Sequence, residues 1–178
     1  SQYQIWLEDC ARFDIPIMVM HIMEGDIISE LNLGGIESIW QLVRKAEELK
    51  VKIAIENTRL PDGIRFVLSE IESEHLGLCY DSSHARLNGG EVLLKEFGHR
   101  LVTCHISDND GKIDRHWLPG NGIIDWQEFC KSFPKESYSG TLMLEVYPTE
   151  DEMKAGPVKF LHKAYKRVSA LGSFTPDI

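Results

Sequence analysis

The 178-residue chain is 43% hydrophobic and 26% charged, with a formal net charge of −9. That is the balance of a globular chain long enough for one well-buried core, and its acidity disfavours nucleic acid as a partner. No apolar run approaches the roughly 20 residues needed to cross a bilayer, and SQYQIWLEDC lacks the basic start and cleavage site of a secretory signal; the expectation is one cytoplasmic domain over residues 1–178 with no membrane role.

The first strand-like run is IPIMVMH, residues 15–21, closing on His21. IESIWQLVRKAEELK, 36–50, spaces Ile36, Trp40, Val43 and Leu49 along one helical face. VKIAIEN, 51–57, is a second strand ending in Glu56 and Asn57, and GIRFVLSEI, 63–71, a second helix. HLGLCYD, 75–81, is a third strand that ends in Asp81, with His84 three residues on. EVLLKEF, 91–97, reads as a helix, and RLVTCHI, 100–106, as a fourth strand carrying His105.

HISDNDGKIDRHWLPGNGIIDW, 105–126, then concentrates Asp108, Asp114 and His116 with Gly-Asn-Gly before a helix at 126–133, for which Asp125 is the expected N-cap. GTLMLEV, 140–146, is a fifth strand bearing Glu145. A last helix, 157–171, places Val158, Leu161, Tyr165, Val168 and Leu171 on one face and stops at Gly172. Its Lys154, Lys159, Lys163, Lys166 and Arg167 read as a wet face. The four cysteines show no Cys-x-x-Cys spacing, and Cys79 and Cys104 lie inside apolar runs, so reduced core thiols are expected. His75, His99 and His162 read as surface or structural residues.

Short apolar runs alternating with helices predict an α/β fold with a parallel sheet. Every strand delivers a polar residue at or near its C-terminal end. An open sheet gathers a site at one crevice, whereas a closed barrel aims all strand ends at one axis. The distribution favours a barrel.

The pieces VMH, IAIENT, CYDSSHA, CHISDN, DRHWLPGNGIIDW and LMLEVYP, in this order, resemble the xylose isomerase-like TIM-barrel superfamily, which includes sugar-phosphate isomerases and epimerases and the endonuclease IV type of AP endonuclease. The match corresponds to the family's fourth to eighth strands, with the chain starting in what resembles the helix before the fourth. The expected fold is therefore an incomplete (β/α)8 barrel, its last five βα units. A complete barrel runs to about 250 residues.

The resemblance implies that Glu56, Asp81, His105 and Glu145 hold a divalent metal ion, Mn, Mg, Co or Zn. It implies that Glu56 and Glu145 act as base and acid beside a metal-held carbonyl. His21, His84, Asp114 and His116 are substrate ligands or hold additional metal, and Asn57 and Asp108 orient the ligands through hydrogen bonds. The implied function is a metal-dependent sugar or sugar-phosphate isomerase or epimerase. Alternatives are an endonuclease IV-like zinc phosphodiesterase acting on abasic DNA and a non-catalytic barrel fragment. Ketose 3-epimerases of the superfamily add an arginine six residues after the histidine ligand, where this chain has Gly111. Strand edges facing the absent units predict self-association or a further N-terminal segment.

Overall fold

The computed structural model describes residues 1–22, 33–59 and 61–173. In chain order these form α1 (Gln2–Arg12), β1 (Ile17–Met20), α2 (Leu33–Leu49), β2 (Lys52–Glu56), α3 (Pro61–Glu70), β3 (Leu76–Asp81), α4 (Ser82–Asn88) and α5 (Glu91–Phe97). After a 3₁₀ turn at Gly98–Arg100 come β4 (Leu101–Ile106), α6 (Trp126–Ser132), β5 (Met143–Leu144), α7 (Glu150–Ala155) and α8 (Pro157–Ser173).

The five strands are all parallel and pair in sequence order, β1-β2-β3-β4-β5. A doubly wound sheet reverses order at its switch point; this sheet never does, and it curls as one side of a barrel. Its strands are apolar on both faces, one toward the helices and one toward the barrel axis, as their continuous sequence runs require. Every residue of β3 is buried, and the core joins Ile53, Ile55, Leu76 and Leu78 to Val43, Val67, Leu93 and Phe129 from the helices.

Between β3 and β4 the register slips by one residue. Leu78 pairs with Leu101, but Cys79 pairs with Thr103, so Val102 is an extra residue in β4. Gly77 sits beside this bulge, where an added Cβ would meet Arg100 O at 2.3 Å and the Val102 side chain at 2.5 Å; only glycine permits the approach. Beyond the bulge Asp81 pairs with His105, and both lie at the C-terminal rim.

The elements differ from the expected ones at several points. The fifth strand is only Met143–Leu144, because its ladder to β4 is limited to His105↔Met143 and Ile106↔Leu144. The residues after Asp81 and after Thr149 are helical; Asp81 and Thr149 cap α4 and α7 through side-chain oxygens, and Glu152 completes a capping box with Thr149. In α8 the apolar stripe is split: Ala164 and Leu171 are buried, whereas Val158, Leu161 and Tyr165 are 64–71% exposed. No described element covers them. On the opposite margin Trp6, Phe13 and Ile15 are likewise exposed. The basic residues of α8 are not all wet, since Lys163 reaches the buried Glu152 at 2.6 Å and Arg167 donates to Pro119 O. Asp125 does cap α6, accepting from Gln127 N and Glu128 N at 3.0 Å. Cys79, Cys104 and Cys130 are buried free thiols. No described helix is long and apolar enough to cross a membrane.

Candidate metal centre

The strand ends bring the expected residues to one rim. Glu56 and Asp81 are the last residues of β2 and β3, His105 is the penultimate residue of β4, and His21 and Glu145 follow β1 and β5 directly. Asn57 fixes the Asp81 backbone at both its polar groups: Nδ2 donates to Asp81 O at 2.8 Å and Oδ1 accepts from Asp81 N at 2.6 Å. Asp81 in turn caps α4, its Oδ1 accepting from His84 N at 2.6 Å. That bond commits one carboxylate oxygen and leaves Oδ2 buried without a hydrogen-bond partner.

At the centre, ligand atoms of Glu56, Asp81, His105 and Glu145 all lie within 4.8 Å of one another. Glu56 is surrounded by imidazoles. Its Oε2 bonds His21 Nε2 at 3.0 Å, while His84 Nδ1 at 3.1 Å and His105 Nδ1 at 3.4 Å approach as charge contacts. Burial alone would raise the Glu56 carboxyl, but its contacts with His105, His21 and His84 outweigh it and hold it well below the usual range. His105 Nδ1 also lies 2.9 Å from Glu145 Oε2, off the line of a hydrogen bond, and the histidine is raised chiefly by Glu56. Burial with few local donors pushes Asp81 up to about 6, although His84 opposes the shift.

Two carboxylate oxygens, Asp81 Oδ2 and Glu145 Oε2, and one ring nitrogen, His105 Nδ1, are therefore buried and unsatisfied in one cluster. Such groups carry a desolvation cost when left alone. Three carboxylates and an imidazole around one point match the ligand preference of a divalent cation.

Outside this cluster His84 is held by a second carboxylate. Asp114 Oδ2 bonds His84 Nε2 at 3.0 Å and meets His116 Nε2 at 3.0 Å as a charge contact, and Asp114 Oδ1 accepts from Ser83 Oγ at 2.6 Å. Burial works against a charged His84, but Asp114 and Glu56 raise it to about 10. His116 sits at φ 49°, and its Nδ1 lies 3.1 Å from Glu145 O. The expected substrate-side residues His21, His84, Asp114 and His116 thus form one contact network with the expected ligands.

Asp108 departs from the reading that it orients a ligand directly. It is fully buried, and its carboxylate accepts from the N–H groups of Asn109, Gly120, Gly122 and Ile124 and from Trp126 Nε1, at 2.8–3.1 Å. These partners lie along the loop that carries Asp114 and His116 and at the start of α6, so Asp108 shapes that loop. The Gly-Asn-Gly follows from this packing: a Cβ on Gly122 would lie 2.1 Å from Asn109 O and 2.3 Å from Asp108 Oδ1.

Two neighbours of the site were not marked by the sequence. Cys79 places a ligand atom within 4.8 Å of Glu56 and His105, on the barrel-interior side, although burial and the nearby carboxylates push its thiol up and keep it protonated. Ser83 bonds Asp114. For Cys79 the signal was its place two residues before Asp81, on the same face of β3, which an apolar run conceals. Gly111, in place of the epimerase arginine, has φ 75° and Ile123 Cδ1 only 2.6 Å from where its Cβ would be. His75 lies at the other end of the strands, its Nδ1 2.8 Å from Val51 O.

A model of the family described as xylose isomerase-like TIM barrel matches residues 1–163. An uncharacterized protein of Methanocaldococcus jannaschii is 25% identical over 166 residues, 84% of this chain and 57% of its own length. The chain spans about half the length of the curated relatives it matches. Among solved structures, the IOLI protein with a bound zinc atom superposes with a TM-score of 0.77 at 20% identity, over 96% of this chain and 67% of that one. A D-tagatose 3-epimerase-like protein gives 0.67 at 22% identity, over 94% and 68%.

Proposed function

The chain belongs to the xylose isomerase-like TIM-barrel family, and on that premise we propose that it carries the metal and proton-transfer centre of a sugar or sugar-phosphate isomerase or epimerase. The observation that carries the reading is the cluster of Glu56, Asp81, His105 and Glu145, each from a different consecutive strand, with unsatisfied buried atoms on three of the four. These residues would hold Mn, Mg, Co or Zn. When bound, such an ion polarises a carbonyl and its neighbouring hydroxyl, easing removal of the adjacent proton.

The chain's own groups then divide the proton work. Glu56, held ionised by three histidines, keeps a fixed negative charge at the floor of the site. Glu145 is the more accessible carboxylate, with its side chain 42% exposed, and is the group positioned to take a substrate proton and return it. Asp114 holds His84 and His116, which face substrate hydroxyls.

Elemental analysis should find one divalent ion per chain. Glu145→Gln should abolish solvent deuterium incorporation into a substrate sugar while leaving the unfolding midpoint nearly unchanged; retained exchange would place the base elsewhere. A second reading, an endonuclease IV-like zinc phosphodiesterase, draws on Asp114 bridging two histidines next to the first cluster. It requires close to three zinc ions per chain in the same measurement, and activity on abasic DNA despite a net charge of −9. The exposed apolar margins favour a covering partner, a second copy or a further segment, and light scattering on the 20.3 kDa chain should show self-association where it is present alone.

A further inference from the structure

Next to the cluster a cavity of about 690 Å³ opens at the C-terminal rim, within the range of small-molecule sites. Its inner wall is His21, His84 and Asp114, so it is continuous with the site; its outer wall carries Arg59, from the segment after β2, and Lys112, from the loop after β4. Among the described residues the wall has one acid, Asp114, and both of its oxygens are engaged, by Ser83, His84 and His116. The Lys112 ammonium has no ion-pair partner among the described residues.

Lys112 is also held in place. Asp110 Oδ1 accepts from Lys112 N at 2.9 Å and Ile113 N at 3.1 Å, Asp110 Oδ2 accepts from Arg115 Nε at 2.9 Å, and Asp108 anchors both ends of the same loop. Asn88 Nδ2 donates to Thr58 O at 2.9 Å, tying α4 to the backbone that bears Arg59. Two cations are thus presented to one cavity by braced backbone, in a chain whose net charge is −9. Against an acidic surround a local cationic wall selects for an anion, and charge-assisted hydrogen bonds from Arg and Lys are the usual means.

We propose that this cavity is a subsite for the anionic end of the substrate: a carbohydrate bearing a phosphate or carboxylate on the carbon farthest from the reacting carbons. The inference rests on the isomerase or epimerase reading for the position of the reacting end, and it names the substrate class that reading leaves open. It also supplies orientation. With the charged terminus fixed at Lys112 and Arg59, the opposite end of the sugar is directed toward Glu145 and His105.

Glucose, glucuronate and glucose 6-phosphate share a ring and differ only at the terminal carbon, so they separate a neutral end from the two anionic ones. Calorimetric titration of the full chain, with and without Mn²⁺, should show at least one charged probe binding about tenfold or more tighter than glucose, the size of one charge-assisted hydrogen bond. A preference for glucose 6-phosphate identifies a phosphate end, and one for glucuronate a carboxylate end. Lys112→Gln should remove most of that advantage and leave glucose affinity and Mn²⁺ affinity unchanged, with Arg59→Gln as the second variant; both positions are exposed, so the fold tolerates the change. Equal binding of the three probes, no binding of any, or a preference that survives both substitutions overturns the subsite. Failure to bind Mn²⁺ is read separately and counts against the metal centre, while a Lys112-dependent anion preference in metal-free protein still supports the cavity assignment.

Discussion

In the middle of the sheet, β3 is buried from end to end and β2 from Ile53 to Glu56, whereas at its margins Trp6, Phe13, Leu161 and Tyr165 face solvent. The candidate site inherits the same gradient. Asp81 and Glu56, from the two inner strands, are almost inaccessible, while His21 and Glu145, at the outer strands, have side chains 33% and 42% exposed. The inner half of the centre is therefore positioned by packing and by Asn57, and the outer half by fewer constraints. A group that must meet substrate and move a proton belongs on the open side; one that fixes a cation belongs on the closed side.

The contrast can be broken by measurement. The largest effect expected is for Asp108→Ala, which leaves four backbone N–H groups and an indole N–H without the buried carboxylate they share; a loss of about 4 kcal/mol in denaturant unfolding is expected from a network left without its acceptor. Leu78→Ala in the sheet centre should cost about 3 kcal/mol, and Leu161→Ala on the exposed stripe of α8 under about 0.5 kcal/mol. Similar values for the two leucines would refute the division into packed centre and open margin. For the metal, Glu56→Gln should weaken Mn²⁺ binding by about 100-fold, and Glu145→Gln by about tenfold, read by electron paramagnetic resonance; the reverse order would put the anchoring carboxylate on the margin.

A pH dependence is expected at the margin itself. Burial of Glu152 would raise its carboxyl, but Lys163, Thr149 and Asn121 outweigh burial and lower it to about 2. A folded-state value below the unfolded one stabilises the protein above the unfolded carboxylate range, and that contribution fades as pH falls from there toward about 2. Unfolding of Glu152→Gln should therefore differ from that of the unsubstituted chain at pH 6 and converge with it near pH 2.

Strand positions and the rim residues were legible in the sequence because a strand buried on both faces must be largely apolar until it emerges, and the acid or imidazole at its C-terminal end marks the rim. Glu56, Asp81 and His105 are all found this way. Helix α4 was not legible, since Asp81 reads as a strand end and its second use as a cap depends on where one oxygen points. The role of Asp108 was hidden similarly: composition shows an acid and glycines in one loop, while only the folded loop shows four amides turned onto one carboxylate. That the stripe on α8 lies open was not legible, because periodicity reports which residues share a face, not whether anything lies against it.

The bulge at Val102 has a consequence for heredity. Paired residues of neighbouring strands point the same way, and the slip is what sets His105, not Cys104, beside Asp81. A β4 one residue longer beyond the bulge, still paired at Cys79↔Thr103, would set Cys104 beside Asp81 and exchange an imidazole for a thiol at the rim. A three-nucleotide insertion between the codons for Thr103 and Cys104, silent as to reading frame, would rewrite the chemistry of the centre without altering any residue in it, so the length of β4 is under the same constraint as the identity of His105.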